Sequence, residues 1–177
     1  MLNPSPAQKL HTVNGVRDRL RESGIRLPRA TAPNYSYVAV QTWGELAFVS
    51  GQIPKDDGRL AYEGRVGEDR TLDEAVAAAE LCAANALAQL DSAVGLKRIA
   101  RVVKLNGYVA STEDFMEHPS VIEGASQFLG TALGERGRHA RTALGVSRLP
   151  ANALVEIELV VGLHPAEGTP STQDRHP

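Results

Sequence analysis

With 177 residues, 42% of them hydrophobic and 23% charged, the chain suits one globular domain of ordinary composition, large enough to bury roughly 70% of its unfolded surface without staples. A formal net charge of −2 supplies no field for polyanions, so a nucleic-acid partner is not expected, and no segment approaches the ~20 apolar residues of a membrane span. Cys82 is the one cysteine, which excludes an intrachain disulfide and a multi-thiolate metal site.

The opening MLNPSPAQKLHTV lacks the charged, apolar and small-residue succession of a secretory signal, and a cytoplasmic location is expected. Leu10, Val13, Val16 and Leu20 recur at roughly helical spacing, with Gly24 placed to end the helix, so residues 1–34 read as an N-terminal helix and linker. Tyr37 to Trp43 reads as a strand, Gly44-Glu45 as a tight turn and Leu46 to Ser50 as the returning strand. Residues 51–70 mix prolines, glycines and acids without periodicity and predict a long irregular surface loop.

Thr71-Leu-Asp-Glu74 is a capping box, and behind it Leu72, Val76, Ala79, Ala83, Leu87, Leu90 and Val94 form one apolar stripe that stops at Gly95. Cys82 lies within this helix as a core thiol. Ile99 to Val109 alternates as a strand, and Ser120-Val-Ile-Glu123 offers a second capping box for a helix closed by Gly134 and Gly137. Strands follow near Thr142 to Ser147 and Leu154 to Val161, separated by Leu149-Pro150-Ala151-Asn152, and residues 164–177 (HPAEGTPSTQDRHP) read as a disordered tail. The order ββαβαββ predicts an α+β fold of two layers, a mostly antiparallel sheet with two helices on one face.

Chemistry enters on the last strands. Val155, Ile157, Leu159 and Val161 share one face and suit a core, whereas Leu154, Glu156, Glu158 and Val160 point the other way, onto either solvent or a partly polar interface. Arg141, in GRHARTALGV, can fork its donors onto a carboxylate, although a surface or structural arginine is the commoner case. The five histidines show no metal-ligand spacing, and neither GxxxxGK[ST] nor GxGxxG occurs, so neither a metal nor a cofactor is expected.

Three blocks, FVSGQIP at 48–54, ARTALGVSRLP at 140–150 and VEIELVV at 155–161, resemble in order and spacing the signatures of the reactive-intermediate deaminase family, RidA or YjgF, also labelled endoribonuclease L-PSP. The likeness spans residues 35–163. It implies a chorismate-mutase-like fold, a homotrimer with clefts between subunits, and hydrolysis of enamine and imine intermediates to 2-keto acids and ammonia. Position by position it implies Arg141 as carboxylate anchor, Glu156 as water-orienting acid, Tyr37 and Ser50 as further catalytic positions, and Gly51 beside them. Ala143 stands where the archetype often carries a cleft cysteine. A small carboxylate-bearing metabolite is the implied ligand. A regulatory trimer that binds such a metabolite without turnover, and an endoribonuclease, are the competing readings, the latter lacking the basic surface that phosphates require.

Overall fold

The computed structural model describes residues 15–165. Leu10 and Val13 of the expected N-terminal helix, and most of the expected tail, lie outside them. Within them α1 runs from Val16 to Glu22 and buries Val16 and Leu20. Gly24, at φ +67°, turns the chain so that Gly24 N–H reaches Arg21 O at 3.1 Å and Ile25 N–H reaches Leu20 O at 2.8 Å. That paired closure satisfies the last carbonyls of the helix and lays Ile25 over Leu20.

The hairpin expected around Gly44 is present as β1, Val40–Trp43, and β2, Leu46–Gln52. β1 begins three residues later than the sequence suggests, which leaves Tyr37 in an irregular segment ahead of the sheet. The stretch read as a plain loop contains a small second hairpin, β3 at Lys55–Asp56 and β4 at Arg59–Leu60. Its turn is Asp57-Gly58, with φ +46° and +80°, the backbone that Asp-Gly favours in two-residue hairpins.

α2, Leu72–Ala93, opens on the complete capping box: Glu74 N–H donates to Thr71 Oγ1 at 3.2 Å, and Thr71 N–H donates to Glu74 Oε2 at 2.8 Å. The strand β5, Ile99–Ala110, precedes α3, His118–Leu133. This helix starts before the capping box expected at Ser120. Pro119 fits its first turn, where a missing N–H costs nothing, and Glu123 is thereby freed for a contact across the layers. The last strands are β6, Ala140–Val146, and β7, Val155–Leu163.

The five-stranded sheet has the order β1-β2-β7-β5-β6 and is antiparallel except for β5 and β6. That parallel pair needs a crossover, which α3 supplies. α2 and α3 cover one face, with Leu87, Leu90, Ile122 and Leu129 packed onto Leu105, Ile157 and Leu159. Small residues bring the helices close: a Cβ at Gly124 would strike the Val76 carbonyl. Leu154, expected on the open face with Glu156, is fully buried. Its N–H donates to Tyr62 O, because the chain around Tyr62 and Glu63 folds over this end of β7.

Among the described residues no second layer covers the other sheet face. Trp43, Phe48 and Leu144 stay 81%, 43% and 51% exposed there, an apolar surface of the kind that marks an association site.

Candidate active site

Glu156 lies near the start of β7, opposite Tyr108 of β5 in register. A strand residue beside β2 would ordinarily be crowded there. The register shift after Val49 places Gly51 over it instead, and a Cβ at Gly51 would fall on Glu156 Oε1. The absence of a side chain at 51 is therefore what admits the carboxylate. Burial pushes its pKa up, and the negative charge of Glu158 two residues along adds to the effect. Glu158 itself accepts a hydrogen bond from Tyr108 Oη at 3.0 Å, and the tyrosine pKa is raised by desolvation and then by this carboxylate.

Glu156, Gly51 and Tyr37 line one cleft of about 420 Å3. Its roof is the irregular segment from Thr31 to Tyr37, its floor includes Asn85 and Gln89 of α2, and its ends come from the β3–β4 hairpin and from Pro150-Ala151. Tyr37 is half-exposed at the rim. Ser50 is adjacent in sequence to Gly51, and its hydroxyl donates to Val38 O at 2.7 Å, which fastens the start of the hairpin beside the cleft. A wider hollow of about 620 Å3 lies between α1 and the end of α2. Arg17 and Arg21 in it are already paired with Asp91 and Asp18, which leaves the Glu156 cleft as the candidate site.

Arg141 lies elsewhere. It pairs in register with the buried Leu105, so its side chain leaves edge strand β6 on the helix side, whereas Glu156 leaves β7 on the open side. Arg141 Nη1 donates to Glu123 Oε2 at 2.6 Å and to Ser126 Oγ at 3.0 Å. Behind them, His139 Nδ1 is 2.6 Å from Gly137 O and His139 Nε2 is 3.1 Å from Ser126 Oγ. A carbonyl only accepts, so the Nδ1 proton donates to it, and Nε2 is left to take the Ser126 hydroxyl. Ser126 can then accept from Arg141. The guanidinium is held by one nitrogen, with the rest of its fork facing a hollow of about 280 Å3.

Ala143 shares this side of β6, paired with Gly107 and packed against the core. One chain thus carries two groups of the expected residues: Tyr37, Ser50, Gly51 and Glu156 around the cleft, and Arg141 with Ala143 on the far edge. The supports of Arg141, Ser126 and His139, escaped sequence reasoning. The signal available was His139 two residues before the arginine. Cys82 is buried, its thiol 3.4 Å from Val155 O and its pKa pushed well up by burial, which leaves it unreactive.

Among the described residues no group of three metal-ligating side chains occurs, and no helix is long and apolar enough to cross a membrane.

Residues 17–163 match a family described as "YjgF/chorismate_mutase-like, putative endoribonuclease". The chain is 42% identical over 151 residues to protein TCP17 of Trypanosoma cruzi, covering 84% of this chain and 94% of that one. Among solved structures it resembles protein Atu1372 of Agrobacterium tumefaciens, at 47% identity and TM-score 0.78 over 84% of this chain and 92% of the other. It also resembles an endoribonuclease-labelled protein of Shewanella oneidensis MR-1, at 36% identity and TM-score 0.82 over 85% and 100%. With signature blocks, sheet order and near full-length similarity in agreement, the chain belongs to the YjgF (RidA) family.

Proposed function

We propose that the protein is a cofactor-independent deaminase that hydrolyses 2-imino acids and their enamine tautomers to 2-keto acids and ammonia, in clefts completed by a neighbouring copy of the chain. The observation that carries this reading is a half-buried carboxylate with a raised pKa, Glu156, lining a cleft that has room for an organic acid. A carboxylate whose pKa burial has raised is a stronger base than an exposed one and can return the proton it takes, which general acid–base chemistry needs.

In the reaction water adds to the imine carbon. Glu156 removes a proton from the attacking water, the carbon–oxygen bond forms, and the electron pair of the C=N bond moves to nitrogen. The proton then goes to nitrogen, giving the neutral carbinolamine; Glu156 next takes the hydroxyl proton and passes it to the amine, the C=O bond forms as the carbon–nitrogen bond breaks, and ammonia leaves the keto acid. In this reading Tyr37, at the rim of the cleft, and Ser50, next to Gly51, position the nitrogen.

The substrate carboxylate needs a cation. Lys55 lines the cleft but offers a point charge rather than the planar fork that grips a carboxylate, and Arg141 of the same chain sits on the opposite face beyond β5. A second copy that sets its β6 edge against the cleft supplies that fork. An interface joining two different surfaces closes as a ring when its rotation divides a full turn, and a homotrimer is the assembly we propose. It also covers Phe48 and Leu144. The decisive test is ammonia release from 2-imino acids generated in situ by an amino-acid oxidase. Release well above the spontaneous rate, and its loss in Glu156→Gln, are expected. A trimer that binds keto acids but leaves the spontaneous rate unchanged would be a metabolite-binding protein instead.

A further inference from the structure

Asn85 and Gln89 are one turn apart on α2, in a helix whose other buried positions are mostly alanine and leucine. They are only 7% and 8% exposed, and an amide buried so deeply is costly unless it is bonded. Asn85 Nδ2 donates to Lys55 O and to Leu81 O, both at 2.9 Å. Gln89 Nε2 donates to Thr31 O at 2.8 Å. All three acceptors are backbone carbonyls, which fixes the nitrogen end of each amide.

The carbonyl ends are therefore the ones left over. Asn85 Oδ1 and Gln89 Oε1 have no partner among the described residues, and neither is sealed from solvent as an unsatisfied atom. Both residues line the Glu156 cleft, where Pro33, Tyr35, Ile53 and Leu60 supply apolar and aromatic wall. A volume of about 420 Å3 falls in the range, roughly 300–1,000 Å3, that encloses ligands far larger than a three-carbon enamine.

We infer that Asn85 and Gln89 form a specificity subsite, and that the cleft takes a 2-imino acid with a long, largely apolar side chain ending in a neutral hydrogen-bond donor. Two carbonyl acceptors call for a donor. A terminal carboxylate has none to give, and an ammonium would meet Lys55, which lines the same cleft. A hydroxyl on an aromatic ring meets the acceptors with its proton and the walls with its ring. Lacking it, a ligand strips water from both carbonyls and returns nothing. This inference rests on the proposal that the reacting carbon lies at Glu156.

The test is calorimetric, on the full-length protein, with 4-hydroxyphenylpyruvate and phenylpyruvate as probes that differ in one hydroxyl. The hydroxylated acid is expected to bind about tenfold more tightly. Gln89→Met and Asn85→Leu also release Thr31 O and Lys55 O, so both acids are expected to weaken, and the readout is the ratio: each variant should bring the two affinities close together. Each variant carries its own control, because a distorted cleft weakens both acids alike. Equal affinities in the unmodified protein overturn the subsite, as does a preference that survives both substitutions or a failure of the hydroxylated acid to bind. No ammonia release from the tyrosine-derived imine, with the preference intact, rejects the hydrolytic reading and keeps the subsite.

Discussion

Arg141 and Glu156 meet opposite electrostatic demands, so their substitutions should fail in different ways. Arg141 presents a guanidinium fixed at one nitrogen by Glu123 and Ser126, whereas Arg138, which lines the same hollow, is paired with Glu135. Arg141→Ala is expected to lose about 1.5 to 3 kcal/mol of 2-keto acid binding in a calorimetric titration, and an unchanged affinity rejects the anchor role. Glu156→Gln keeps shape while removing the charge, so keto-acid binding should survive in it. Its stability should also change with pH. Burial raises the folded pKa of Glu156 above the unfolded value, so the native state holds more protons across that interval, and the stability the group contributes is lost as pH rises through it. Chemical denaturation should find Glu156→Gln more stable than the unmodified protein above the carboxylate range, with the gain vanishing as pH falls below the ordinary glutamate value. A gain independent of pH would mean that the charge is solvated. Of these residues, Arg141 and Glu156 are marked as candidates by their sequence motifs. The Tyr108–Glu158 bond and the Ser126–His139 support are not, because each joins residues 50 or 13 positions apart, and only the folded sheet and helix set that proximity.

Among the elements, those whose ends are chemically marked were readable and those marked by tertiary packing were not. Thr71 and Glu74 announce the start of α2 and do close it. Thr71→Ala should cost about 1 kcal/mol in urea unfolding, and Thr71→Ser should restore most of it. No loss would mean that packing alone fixes this helix. At α3 the serine–glutamate spacing misled, since Pro119 starts the helix earlier and Glu123 is engaged by Arg141. The β3–β4 hairpin had an Asp-Gly signal, but strands of two residues carry no alternation to flank it. Leu154 fell on the wrong face because strict alternation assumes that the strand continues, and the chain at Tyr62 covers that end instead.

For the whole molecule, the two-layer architecture followed from the order of elements, whereas the separation of Arg141 from Glu156 did not. Sequence spacing of 15 residues says nothing of sheet order, and β5 intervenes between their strands. The proposed ring has a direct measure: light scattering should give about three times the chain mass, the chain being 18.9 kDa. A stable monomer at micromolar concentration would remove both the trimer and the shared cleft.

The placement of Arg141 and Glu156 on opposite faces also has a genetic meaning. Two alleles, each inactive alone, should complement when they are expressed together. A ring that mixes Arg141→Ala with Glu156→Gln protomers contains a junction where the second lends its arginine to the first, whose glutamate is untouched. With equal, random mixing about one quarter of the clefts regain both groups, and deamination should return to about that fraction. If arginine and glutamate instead served the same cleft from one chain, every cleft in every mixture would stay defective, and co-expression would rescue nothing.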